Sequence, residues 1–142
     1  MSDALTRFHP QIEAWFHDEL GSPTDVQEQS WPVIERGEHA LITAPTGSGK
    51  TLTAFLWSIN RCLVGDLEPG STRVLYISPL KALNNDIQRN LVGPLGALRQ
   101  RASDAGSPFP DIRAQTRSGD TDAGDHHRML RQSPAGNTHH NP

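Results

Sequence analysis

The sequence predicts an α/β fold in which helices flank an open parallel β-sheet. Two helical patterns open the chain, and strand and helix patterns then alternate in the order β-α-β-α-β. A glycine-rich turn at residues 44–51 joins the first strand pattern to the helix that follows it. Because parallel neighbours are joined by right-handed crossovers, this order indicates a sheet with helices on its faces.

Two helices are predicted before the first strand. Apolar residues at helical spacing over residues 5–20 indicate the first, and Pro10 fits its first turn. Thr24 is a good N-cap for the second helix, which runs to about Glu35. Pro32 lies inside that pattern, so the sequence leaves open a bend in the helix or a shifted start.

Three strands and further helices follow. The predicted strands are residues 39–43, 73–78 and 112–117. The predicted helices are residues 52–63, 80–91, 95–101 and 125–130. Gly93-Pro94 ends the second of these, and the sequence leaves open that residues 95–101 continue it after a kink. The strand at 73–78 is β-branched and apolar, as expected of a central parallel strand.

Composition limits the class of protein. A chain of 142 residues is the size of one domain, and no apolar run approaches the roughly 20 residues that span a membrane. The start of the chain lacks a secretory signal, and a lone cysteine, Cys62, suits the reducing cytosol. We therefore expect a cytoplasmic protein with Cys62 as a small core residue.

The net charge of −3 is unevenly distributed. Residues 1–49 contain eight acidic and two basic side chains, whereas residues 50–142 contain eight acidic and eleven basic ones. Attraction to nucleic acid would therefore have to come from the second part of the chain.

Residues 44–51, Ala-Pro-Thr-Gly-Ser-Gly-Lys-Thr, have the pattern of a phosphate-binding loop, with Ala44 where the pattern usually has glycine. Glycines let the backbone curl so that successive N–H groups point into one concavity, and the helix N-terminus adds its positive dipole end. A turn without a ligand is the alternative. The predicted phosphate-binding residues are Thr46, Gly47, Ser48, Gly49, Lys50 and Thr51.

Three other segments are each compatible with a function or with ordinary structure. The amide of Gln27 could pair with the edge of adenine, or it could belong to an exposed helix residue. Residues 78–86, with Lys81, suit a sugar–phosphate backbone or a solvated helix start. Residues 118–121 lie at the matching end of the third strand, or form a simple turn. Arginines close to the second segment are Arg89, Arg99 and Arg101.

Together these segments resemble the first RecA-like motor domain of superfamily-two helicases, most closely the Lhr (large helicase-related) type. The similar segments, in order, are residues 8–16, 23–32, 44–56, 74–91 and 119–121. The resemblance covers about residues 7–132. It implies a P-loop NTPase (RecA-like) fold, with residues 1–36 as the leading helices of the domain.

The resemblance also implies function. The family couples ATP hydrolysis to movement along single-stranded nucleic acid and to unwinding, commonly in DNA repair. It implies ATP and Mg²⁺ as cofactors, with Gln27 reading adenine, Lys50 on the phosphates and Thr51 on Mg²⁺. The expected partner is single-stranded or duplex nucleic acid, DNA more than RNA. The implied strand-contacting residues are Pro79, Lys81, Gly119, Asp120 and Thr121.

Parts of the family pattern are not present. The Asp-Glu-x-His box and the second motor domain are missing, and the only Asp-Glu pair, Asp18-Glu19, precedes the loop. Codons for residues 136–142, read one base later, can encode the family's next strand and Thr-Thr-Pro turn. We therefore expect residues 1–132 to form an incomplete, truncated first motor domain without an identifiable catalytic residue, and residues 133–142 to be a disordered, frameshifted tail.

Two other classes of protein stay open. One is a small P-loop kinase or other nucleotide-binding protein unrelated to helicases. The other is a non-catalytic nucleic-acid binding module.

Overall fold

A computed structural model of the chain describes residues 4–78, 87–118 and 126–132. The four helices in this part are α1 Pro10–Leu20, α2 Asp25–Glu35, α3 Lys50–Leu63 and α4 Gly93–Asp104. The strands are β1 Thr72–Ser78, β2 Ile112–Ser118 and β3 His126–Gln132. A 3₁₀ turn, Leu5–Arg7, precedes α1, and a π-helical turn, Gln88–Val92, leads into α4.

The two leading helices confirm the predictions made for them. Pro10 occupies the first turn of α1, and His9 caps that helix by accepting a hydrogen bond from the backbone N–H of Gln11 at 3.3 Å. Thr24 is the N-cap of α2 in a reciprocal capping box. Pro32 lies inside α2, so the helix begins before the proline.

Residues 39–43 do not form the predicted strand. They are irregular and largely exposed, and Leu41 is 91 % exposed. A strand requires neighbours for its backbone N–H and C=O groups, and none of the described strands pairs with this segment. The prediction of a buried strand at this position is therefore wrong for the described structure.

The described sheet is antiparallel, in the order β1-β3-β2, which corrects the predicted parallel sheet. Ser78 and Ser118 both lie opposite His126, at the start of β3. The connection from β2 to β3 spans only residues 119–125, whereas a parallel crossover takes about a dozen residues or more. The third strand therefore returns antiparallel between the other two, and it replaces the helix predicted at 125–130.

The helix predicted to end at Gly93-Pro94 continues through both residues. The N–H of Gly93 donates to the carbonyl of Gln88, five residues earlier, and Pro94 stands in the first turn of α4. Because proline lacks an N–H and its ring needs space at the preceding turn, the wider π-helical turn lets the chain stay helical.

The core forms where the helices meet one face of the sheet. Trp31 is completely buried, and its ring contacts Phe8 and Phe16 edge to face, with centroids 4.7 and 5.9 Å away. Cys62 is buried on α3, as predicted, and burial raises the pKa of its thiol. On β1, Tyr76 packs against the core, whereas alternate residues of the strand face away from it.

The outward face of β1 is apolar and uncovered. Leu75 is 53 % exposed and Ile77 is 61 % exposed. Among the described residues, no helix combines the length and the hydropathy needed to cross a membrane.

Candidate functional site

The glycine-rich loop adopts a conformation that depends on its glycines. Gly47 and Gly49 have φ angles of +84° and +86°, in the left-handed region that other residues rarely adopt. Gly49 is also the N-cap of α3, so the loop ends directly at a helix N-terminus. This combination brings the positive end of the helix dipole to the loop.

A cavity of about 480 Å³ opens at the loop. Its lining residues are Thr46, Gly47, Gly49, Lys50, Thr51, Arg89 and Asn90. Five of these are predicted phosphate-binding residues, and the volume is within the usual range of small-molecule sites. Among the residues that the structure describes, the lining contains basic and neutral side chains and no carboxylate, as a site for an anion requires.

Lys50 contacts the loop itself. Its Nζ donates hydrogen bonds to the carbonyl oxygens of Ala44 and, at 2.8 Å, of Pro45. Ala44 therefore contributes a backbone group to the site, and its departure from the usual glycine does not alter that contribution.

Gln27 is 3 % exposed, so the alternative of an exposed helix residue is wrong. Its Oε1 accepts from the N–H of Thr24 at 3.0 Å, and its Nε2 lies 3.5 Å from the carbonyl oxygen of Gly49. The hydroxyl of Thr24 donates to the carbonyl of Ser48 at 2.9 Å. The start of α2 is thus joined to the loop at two points, and adenine recognition by Gln27 stays a prediction.

The loop is also supported from α3. The hydroxyl of Thr53 donates to the carbonyl of Gly49 at 2.7 Å, and the indole N–H of Trp31 donates to the carbonyl of Thr53 at 3.1 Å. Ser48 places a buried Oγ in the loop that has no hydrogen-bond partner in the described part of the chain. An unsatisfied buried hydroxyl is unusual and is consistent with a site prepared for a ligand.

The residues present fit a Mg²⁺ ion that is held mainly by a nucleotide. Thr51 lines the cavity and can offer one hydroxyl oxygen, and no group of three His, Cys, Asp or Glu side chains suited to a metal occurs in the described ranges. Mg²⁺ commonly keeps several waters and takes phosphate oxygens as ligands, so one hydroxyl is a sufficient contribution from this loop.

The five predicted strand-contacting residues lie outside the described residues, so that part of the site stays a prediction. The structure does locate the three neighbouring arginines. Arg99 donates to the carbonyl of Ile112 at 3.0 Å, and Arg101 pairs with Asp18 at 2.8 Å. Arg89 lines the loop cavity instead. The sequence did not predict this position, because Arg89 is almost forty residues from Lys50 and no local pattern connects the two.

The chain is similar to known helicases. The model of the DEAD/DEAH box helicase family matches residues 24–123. An Lhr helicase/probable uracil glycosylase of Mycolicibacterium smegmatis is 43 % identical over 134 residues, 94 % of this chain and 9 % of that protein. An ATP-dependent helicase Lhr-Core of Methanothermobacter thermautotrophicus is 44 % identical over 130 residues, 89 % of this chain and 15 % of that protein.

A solved structure agrees with these similarities. The Mycobacterium smegmatis helicase Lhr bound to ssDNA and AMP-PNP matches with a TM-score of 0.73 and 46 % identity, over 84 % of this chain and 15 % of that one. The chain therefore spans less than a sixth of the length of these relatives.

Proposed function

Because the chain belongs to the DEAD/DEAH box helicase family, we propose that it supplies the ATP-binding part of an Lhr-type helicase. The observation that supports this most is the cavity at the glycine-rich loop, where Lys50, Thr51 and the N-terminus of α3 meet. A triphosphate is the most highly charged part of ATP, and this cavity offers cationic and N–H groups to it.

The proposed roles of the individual residues are those that the helicase resemblance implies. Lys50 would exchange its loop carbonyls for the β- and γ-phosphates, and the hydroxyl of Thr51 would take its place on Mg²⁺. A Mg²⁺ ion held there would supply positive charge to offset that of the phosphates. Gln27 would present part of its amide to adenine. Because the same amide also contacts the carbonyl of Gly49, adenine binding would be linked to the loop.

We further propose that the chain contributes to a path for single-stranded nucleic acid, with DNA as the favoured partner. The residues for this role are Pro79, Lys81, Gly119, Asp120 and Thr121. Support comes from the excess of basic residues after position 49 and from the relative whose structure holds ssDNA. Coupling to unwinding, and a place in DNA repair, belong to the same proposal.

ATP hydrolysis requires groups beyond those that bind the nucleotide. The described lining of the cavity has no carboxylate, and the 142 residues have no Asp-Glu-x-His box. In phosphoryl transfer an acidic residue holds the metal ion, and another group positions the attacking water. We propose that residues 1–132 bind ATP as an incomplete first motor domain but do not turn it over by themselves.

Replacing Lys50 with alanine is expected to weaken ATP binding by about 10- to 100-fold, since a charge-assisted hydrogen bond is worth about 1.5–3 kcal/mol. Isothermal titration calorimetry with Mg²⁺-ATP measures this. Arg61→Ala is the matched control, because Arg61 is an exposed cation at the opposite end of α3. Equal affinities for the wild-type chain and Lys50→Ala would contradict the proposed phosphate site.

The second expected result is the absence of ATP turnover. Purified chain mixed with Mg²⁺-ATP, with and without single-stranded DNA, should release phosphate no faster than Lys50→Ala does. Phosphate release measured with a coupled enzyme assay tests this. Turnover that depends on Lys50 would show that the chain contains a catalytic carboxylate, and it would favour the alternative of a complete small nucleotide enzyme.

A further inference from the structure

The loop cavity contains a second cation that the loop pattern does not include. Arg89 lines the cavity together with residues of the loop, and it lies in the π-helical turn Gln88–Val92. Single π-helical turns inserted in helices are frequent at functional sites because they change the direction of the side chains they contain. The turn is followed by Pro94, which prevents it from closing into a regular α-helix.

Arg89 also differs from the other arginines whose side chains the structure describes. Six of those pair with a carboxylate, and Arg99 donates to a backbone carbonyl and lies over the ring of Phe109. Arg89 is exposed and forms no hydrogen bond or ion pair within the described part of the chain. Its five N–H donors are therefore available to a ligand.

The electrostatics of the cavity favour an anion as that ligand. Lys50 and Arg89 contribute two positive charges to one concavity, and none of its lining residues in ranges 4–78, 87–118 and 126–132 is acidic. Two like charges repel each other, and a bound anion adds two attractions that offset this repulsion. A guanidinium also binds phosphate with two parallel N–H···O bonds, which an ammonium cannot do.

We propose that Arg89 is a phosphate-binding residue of this site and donates to the β- or γ-phosphate oxygens of the nucleotide held by the loop. The inference rests on the proposed function, because it needs a nucleotide in the cavity. It adds to that function a residue from a distant segment that makes the site selective for nucleotides with more than one phosphate.

The test compares nucleotide affinities of Arg89→Gln, Arg89→Lys and the control Arg61→Gln, each as the full chain. Calorimetry with Mg²⁺-ATP, Mg²⁺-ADP and AMP measures binding, and circular dichroism with thermal melting checks the fold. We expect Arg89→Gln to weaken ATP binding by about 10- to 100-fold and AMP binding by much less. Arg89→Lys should be intermediate, and Arg61→Gln should bind as the wild type does.

The outcomes that overturn the inference are distinct from those that overturn the proposed function. If Arg89→Gln binds ATP as tightly as the wild type while Lys50→Ala binds it weakly, Arg89 has no role on the phosphates and the phosphate site stands. If the wild-type chain binds no nucleotide, or if Lys50→Ala binds ATP as tightly as the wild type, the proposed function and the inference about Arg89 are both wrong. If Arg89→Gln loses affinity for a single-stranded oligodeoxynucleotide but not for ATP, Arg89 serves the nucleic acid and the inference is overturned.

Discussion

Replacing Trp31 with alanine is expected to lower the free energy of unfolding by about 3–5 kcal/mol, the usual effect of deleting a large buried aromatic side chain. Trp31 is completely buried and contacts the rings of Phe8 and Phe16. Its indole N–H also donates to the carbonyl of Thr53 on α3. The residue therefore joins the leading helices to the helix that begins at the glycine-rich loop.

Since small domains are stable by about 5–15 kcal/mol in total, this single change is large enough to unfold much of the chain. Urea denaturation followed by circular dichroism measures it. Trp31→Phe is the matched control, because it keeps a ring in the core but loses the N–H donor, and it should be destabilising by a smaller amount. A loss below about 1 kcal/mol for Trp31→Ala would contradict the central position of this side chain.

Gly49→Ala is expected to damage both stability and nucleotide binding. Gly49 has a φ of +86°, and a Cβ added there would lie 2.5 Å from Nε2 and 3.1 Å from Cδ of Gln27. The left-handed conformation alone disfavours alanine by about 1–2 kcal/mol. Because Gln27 is buried in its capping box, it has little freedom to move, and overpacking typically adds about 1–3 kcal/mol.

Gly47→Ala separates the cost of the left-handed backbone from the cost of the contact with Gln27. Gly47 has nearly the same φ, +84°, but its added Cβ would meet no atom within 4 Å. Chemical denaturation of both variants should therefore show a larger loss of stability for Gly49→Ala, with the difference arising from the contact with Gln27. Equal losses would indicate that Gln27 moves aside freely and that the start of α2 does not constrain the loop.

The helices could be predicted from the sequence because their signals are local. Pro10 in the first turn, Thr24 as N-cap and an apolar stripe on α3 each specify a helix without reference to any other segment. At Gly93-Pro94 the sequence left open a helix end or a kinked continuation, because the pair usually ends a helix. Its accommodation in a π-helical turn depends on a backbone adjustment that no residue pattern announces.

The strands were harder to predict because a strand is stable only against its neighbours. Residues 39–43 have an apolar sequence but no partner in the described sheet, so the pattern by itself did not make a strand. Conversely, residues 126–132 showed no strand alternation and yet pair on both sides with β1 and β2. The direction of pairing followed from the length of the connection before β3.

The part of the candidate site that is formed by consecutive residues could be predicted from the sequence. The loop pattern identified six neighbouring residues, and the structure places five of them around one cavity. The contacts that join Thr24 to Ser48 and Gln27 to Gly49 were not predictable in detail, because they depend on how α2 packs against the loop. The same holds for Arg89, which reaches the cavity through tertiary packing alone.

The hydrogen bonds from Lys50 to the carbonyls of Ala44 and Pro45 affect how any measured affinity should be understood. In the free chain the ammonium already has acceptors, so a nucleotide must displace them. Binding is then an exchange of carbonyl oxygens for phosphate oxygens, and the observed affinity is the difference between these two sets of partners. A modest affinity would accordingly be compatible with a fully formed loop, because Lys50 gives up two carbonyl partners when it binds phosphate.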